Sequence, residues 1–168
     1  NAAATSMLLR LAPDHIKSRY AGPMLRGEII GAVGISEPDI GSDVSGVKTR
    51  AVRDGNDWII NGEKTWITNG EYSDFFICTC RSDENQLTHI LLDREEHPYE
   101  VRGIPKIALN SQSTSQIFLN DVRVPVSNTI GEIGSGLKNT LTLFERARIH
   151  VAAWGYGIAR RALEESIK

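Results

Sequence analysis

An indole and a hydroxyl two residues apart on a strand, Trp66 and Thr68, are the side chains of this sequence best suited to hold a flat ring with polar edges. Alternation along a strand puts them on one face and adds Lys64 to it. A lone Trp is more often a core aromatic, but the shared face with Thr68 and two flanking Asn-Gly pairs favour a ring seat. Upstream, Glu37-Pro38-Asp39-Ile40-Gly41-Ser42-Asp43 reads as a tight polar loop. Pro38 fixes φ, Gly41 permits positive φ, and Ser42 and Asp43 can bond nearby backbone, so the loop can turn several amide N–H groups toward one point.

A second group lies near the C-terminal end. Leu137, Leu141, Phe144, Val151 and Ile158 fall on one helical stripe, and Arg148 sits among them. A guanidinium in such a stripe is either paired, here with Glu145 one turn back, or set against a ligand, and the residues alone favour neither. Gly155 and Gly157 weaken the helix, which predicts close packing against them. Cys78 and Cys80 share a strand face without further Cys or His at metal spacing, so they read as small reduced side chains and no metal site is expected.

The elements that must position these residues follow from the periodicity. A helix over 2–11 ends at Pro13, and a second, capped by Asp14, starts at His15, carries Ile16, Tyr20 and Met24 on one face, bends at Pro23 and closes at Gly27. Strands are expected over 29–35, 47–53, 58–60 and 63–68, with turns at Asp54-Gly55-Asn56 and Asn61-Gly62, the latter a two-residue hairpin. Further strands are expected over 75–80, 88–93, 99–102, 115–119 and 122–124, separated by Ser82-Asp83-Glu84-Asn85 and Asn120-Asp121. From Gly136 a long helix begins. Short strands in a row without βαβ alternation argue for an α+β chain with an antiparallel β-barrel between helical segments. Gly31-Ala32-Val33-Gly34 is too short for a dinucleotide fingerprint and runs into the Pro38 loop instead of a helix.

The 168 residues can bury a core, and 19 Lys+Arg against 21 Asp+Glu give a net charge of −2, which provides no basic field for nucleic acid or an anionic membrane. No apolar run approaches a bilayer span and no signal-peptide pattern opens the chain. A soluble intracellular protein is the expectation, cytoplasmic in a bacterium or in the mitochondrial matrix of a eukaryote. The sequence opens at Asn1 in helical text and stops at Lys168 within another helix, as a piece of a longer polypeptide would.

Four runs in order, AVGISEPDIGSD over 32–43, NGEKTWITNG over 61–70, NDVRVP over 120–125 and FERAR over 144–148, resemble the acyl-CoA dehydrogenase family of flavoproteins. The resemblance covers nearly the whole chain. It implies the end of an N-terminal helical domain over 1–28, a middle β-barrel flavin-binding domain over 29–130, and the start of a C-terminal helical domain over 131–168. It also implies FAD held by Val33, Ile35, Ser36, Gly41, Ser42, Trp66, Ile67 and Thr68. Ser36 would face the pyrimidine edge, Trp66 lie against the isoalloxazine and Thr68 bond near N5. Ser42, Glu145 and Arg148 would contact an acyl-CoA substrate.

The reaction implied is α,β-dehydrogenation, with electrons passed to an electron-transfer flavoprotein by a homo-oligomer, dimer or tetramer. The family's usual base is a Glu beyond Lys168. Its rarer position on the first C-terminal helix corresponds to Ala147, so no catalytic residue is expected within this sequence. Alternatives in the same fold are an acyl-thioester oxidase, a dehydrogenase of carrier-protein thioesters, or a non-catalytic scaffold. Val33 replaces a common aromatic, Asp39-Ile40 replace small residues, and KIALNSQSTSQ over 106–116 lacks the Gly and the Arg or His usual there, which leaves the substrate class open.

Overall fold

The computed structural model describes residues 2–84 and 86–168. Two helices open the chain, α1 (Ala2–Leu11) and α2 (Asp14–Arg26). The cap of α2 is Pro13, whose carbonyl accepts from Ile16 and Lys17, and Asp14 is the first helical residue. Its carboxylate still suits the positive end of the helix. Ile16, Tyr20 and Met24 are buried as their spacing predicts, the helix continues through Pro23, and Gly27 ends it at φ 76°.

Eight strands follow: β1 (Gly31–Gly34), β2 (Arg50–Asp54), β3 (Asp57–Thr68), β4 (Phe75–Asp83), β5 (Gln86–Asp93), β6 (Glu100–Gly103), β7 (Thr114–Pro125) and β8 (Thr129–Ile130). They form one sheet in the order β6-β7-β3-β2-β4-β5-β8, with β1 also paired to β4. The expectation of an antiparallel barrel needs correcting on two points. Among the described residues the sheet is not closed, and it is mixed: β1 runs parallel to β4 from Gly31↔Phe75 to Gly34↔Cys78, and β2 joins β4 in parallel at Arg50↔Arg81. β1 and β2 thus share one edge of β4, separated by the loop that carries Ser36.

The strand cores were legible, their ends less so. β4 is buried at every position from Phe75 to Cys80 and apolar at all of them except Thr79, because one face meets the sheet core and Phe75 packs against Tyr20 of α2 at 5.1 Å between ring centroids. Cys78 and Cys80 are free, buried thiols, and burial pushes the Cys80 thiol up. Gly31 and Gly34 serve packing: a Cβ on either would lie 2.4 Å from the ring of Phe75 or Phe76. The predicted turn containing Asn85 falls partly outside the described residues.

Two predicted turns are not turns. β3 and β7 are continuous twelve-residue strands, and Asn61-Gly62 and Asn120-Asp121 face each other as irregularities within the pair. Asp121 N–H donates to Asn61 Oδ1 and Asn61 Nδ2 donates to Asp121 Oδ1, each at 2.9 Å, while Gly62 (φ 147°) and Asp121 (φ 50°) absorb the distortion. A bulge uses the same backbone conformations as a hairpin turn, so the residue types alone do not distinguish them. The other turn expected here, Asp54-Gly55-Asn56, is the hairpin between β2 and β3, closed at Asp54↔Asp57.

Two compact units emerge, one running to Leu137 and the other Lys138–Lys168. The second consists of the remainder of α3 (Gly136–Ser166), a 31-residue helix. Its Arg160–Glu164 and Arg161–Glu165 ion pairs bridge successive turns. Nothing lies within 4 Å of a Cβ built on Gly155 or Gly157, so the close packing expected there is not made within the described chain.

Candidate functional site

The loop after β1 is held in shape by its own backbone. Glu37 N–H donates to the Ile40 carbonyl at 2.9 Å and Ile40 N–H to the Glu37 carbonyl at 3.1 Å, around Pro38-Asp39. These two amides are consumed internally, so the convergence of free N–H groups expected from the sequence does not extend to them. Asp43 accepts from Ser45 Oγ at 2.5 Å and from Gly46 N–H. Beyond the turn, Gly41, Ser42 and Asp43 are exposed.

On β3 the predicted face of three must be split. Register with β7 shifts between Lys64 and Ile67, and Trp66 takes φ 61°, a left-handed conformation uncommon for a bulky residue. The bulge reverses side-chain parity: Lys64 is fully enclosed and Thr65 buried, whereas Trp66 is 63% exposed and Thr68 exposed. Trp66 and Thr68 therefore do point outward together, and Lys64 does not join them. Thr65 N–H donates to the Ser36 carbonyl at 3.0 Å, which sets Ser36 against the residue preceding the indole. The hydroxyls of Ser36, Ser42 and Thr68 have no hydrogen-bond partner among the described residues.

Other predicted residues fall elsewhere. The Ile35 and Ile67 side chains are buried, the latter in the sheet core, so either could meet a ligand only through its backbone. Val33 is half-buried. Glu145 and Arg148 lie on α3 in the other unit, both exposed, and no ion pair joins them among the described residues.

Beneath the loop lies a network that residue types alone did not reveal. Lys64 Nζ donates to Glu37 Oε1 at 2.8 Å and to the Ile35 carbonyl at 3.1 Å. The carboxylate also accepts from Lys48 N–H, Thr49 N–H and Thr49 Oγ1 at 2.7, 2.8 and 2.6 Å. Burial pushes the Glu37 carboxyl up, but the Lys64 charge and hydrogen bond and the Thr49 donors outweigh it and hold the group below its ordinary value. The signal was available in the strand pattern, since Trp58, Ile60 and Lys64 share parity and the first two are core residues. Among the described residues no cluster of His, Cys, Asp and Glu could hold a metal, and no helix is long and apolar enough to cross a membrane.

Comparison with known proteins adds to this geometry. The family model described as acyl-CoA dehydrogenase, middle domain, matches residues 32–122. The chain is 36% identical over 164 residues to cyclohexane-1-carbonyl-CoA dehydrogenase of Syntrophus aciditrophicus, covering 95% of the chain and 40% of that relative. A probable acyl-CoA dehydrogenase structure from Mycobacterium abscessus superposes with a TM-score of 0.92 at 33% identity, over 96% of this chain and 44% of that one. A glutaryl-CoA dehydrogenase from Mycobacterium smegmatis in complex with FADH2 gives a TM-score of 0.80 at 32% identity, over 86% of this chain and 37% of that one. The chain spans about two fifths of the length of the curated relatives it matches.

Proposed function

This chain belongs to the acyl-CoA dehydrogenase family, and from that premise we propose that it serves an FAD-dependent α,β-dehydrogenation of an acyl-CoA thioester. The observation that carries the proposal is the outward Trp66, held at φ 61° beside a loop whose Ser36 carbonyl is bonded to Thr65. The residues present fit a flavin. A half-exposed indole offers a flat apolar wall, and three hydroxyls without partners offer donors and acceptors for a ring edged with carbonyls and nitrogens.

Bound FAD would supply the acceptor for hydride leaving the β-carbon. The chain's own residues would bind and orient. Ser36 would bond the pyrimidine edge and Trp66 would cover one face of the ring and keep water from it. The Thr68 hydroxyl would bond near the reactive nitrogen and tune how readily the ring takes electrons. Ser42, Glu145 and Arg148 would contact the substrate. In this reading Ile35, Gly41, Val33 and Ile67 line the cofactor through backbone or small contacts. The base that removes the α-proton is none of these residues, since Ala147 stands at the helical position where a minority of the family place it.

The domain assignment proposed with it is 1–28, 29–130 and 131–168, within a homo-oligomer that passes electrons to an electron-transfer flavoprotein. The direct test is to purify the full-length protein with FAD and add an acyl-CoA without oxygen. Yellow protein whose flavin absorbance bleaches on addition is expected. A protein that cannot be reconstituted with FAD overturns the proposal, and steady peroxide release in air would reassign it as an oxidase.

A further inference from the structure

We infer that the Glu37–Lys64 ion pair is the positioning element of the ring site, fixing Ser36 and the Trp66 bulge in the arrangement that turns the indole outward. The inference rests on the flavin reading above. Lys64 is 0% and Glu37 5% exposed, with 2.8 Å between the charged atoms. Enclosing two charges is unfavourable unless every remaining lone pair and proton finds a partner, and apolar residues of similar volume would stabilise a core at least as well. Here the partners are specific to the site. The two acceptors of Lys64 Nζ, the Ile35 carbonyl and the Glu37 carboxylate, belong to the residues on either side of Ser36. The residue after Lys64 donates to the Ser36 carbonyl, and the next is Trp66. Displacing the ammonium therefore displaces both halves of the ring site together, while Lys48 N–H and Thr49 hold the carboxylate from the strand edge.

The test uses the full-length protein and measures FAD dissociation alongside the melting temperature of the FAD-free form, for wild type, Lys64→Met, Glu37→Gln and the double variant. Each single change strands one buried group, so both should melt lower and bind FAD about tenfold or more weakly. The double variant removes the stranded charge and should regain most of the lost melting temperature while FAD binding stays weak. That separation is the signature of positioning, because a merely structural pair would let affinity recover with stability. Single variants that bind FAD as wild type does, or a double variant within about twofold of wild type, overturn the inference and leave the flavin reading intact. A wild-type protein that does not bind FAD overturns both. Should the ion-pair variants fail to fold, Thr49→Val decides: it keeps both charges and removes one donor, and unchanged FAD affinity in that protein counts against the role.

Discussion

Trp66 carries a conformational cost where β3 bulges against β7. A left-handed conformation costs a residue with a Cβ about 1–2 kcal/mol, and the exposed indole regains little of this by burial. Strain of this kind persists where the surroundings enforce it, and it clusters at ligand sites. Trp66→Asn, which tolerates the same backbone, should leave the melting temperature of the FAD-free protein equal to or a few degrees above wild type while weakening FAD binding. A melting temperature several degrees lower would show that the indole stabilises the fold instead. Gly62 presents the opposite case. At φ 147° a Cβ there would lie 2.6 Å from Thr49 Oγ1 and 2.7 Å from Thr49 Cα, so Ala would have to displace backbone. Gly62→Ala should destabilise by about 2–4 kcal/mol, read as a lower urea midpoint with unchanged slope. A shift under about 0.5 kcal/mol would mean the strand can slide away from Thr49.

At the scale of elements, the join of β4, β5 and the start of α3 encloses His89. The ring is fully buried, Nδ1 lies 3.0 Å from Thr79 Oγ1, and Nε2 has no partner in hydrogen-bond geometry. Burial foremost, opposed by the nearby Gly136 backbone and aided by the Lys64 charge, lowers its pKa from 6.5 to about 4. The folded state keeps His89 neutral where the unfolded chain takes up a proton. Its contribution is therefore complete above pH 6.5, falls as pH drops from 6.5 toward 4, and amounts to about 3 kcal/mol at most. Glu37 and Asp93 act in a lower window. Burial raises both, hydrogen bonds and cations outweigh it, and the stability they give is lost only as pH falls below their ordinary values of 4.5 and 3.8. Urea titrations at pH 7, 5.5 and 4.5 should show the His89 slope, and His89→Gln should flatten it; an unaltered slope would place the titrating group elsewhere. Much of this element layer was legible in the sequence. The buried run of β4 and the Tyr20 face of α2 follow from periodicity and residue type, whereas the outward direction that Trp66 and Thr68 share depends on the bulge after Lys64, which no period announces. The continuity of β3 and β7 is not legible either, because Asn61-Gly62 encodes a positive φ without saying whether the chain turns or bulges, and the Asn61–Asp121 contact that decides it spans sixty residues. The Glu37–Lys64 pair escaped for a related reason: charged residues are usually exposed, and only the partner makes enclosure tolerable. The parallel placement of β1 and β2 on one edge of β4 depends on contacts no local pattern carries.

For the molecule as a whole, apolar burial is distributed unevenly. The core cluster built from Trp58, Ile60, Phe76, Ile90, Ile117 and Val124 lies wholly in the unit ending at Leu137. Lys138–Lys168, taken by itself, is one helix with Ile149, Val151, Trp154, Tyr156, Ile158 and Leu163 each more than half exposed. A helix in water owes most of its stability to tertiary packing, and apolar side chains clustered along an exposed surface drive association. The sheet unit should therefore fold without the helix, whereas the helix should be the sticky part of the chain. A polypeptide of residues 1–137 is expected to unfold in one cooperative urea transition and to sediment as a monomer. The 168-residue chain should show the same unfolding free energy within about 1 kcal/mol and sedimentation that rises with concentration. The decisive result is the shorter chain: if it lacks a cooperative transition, the sheet draws essential stability from residues 138–168, and the helix belongs to its core.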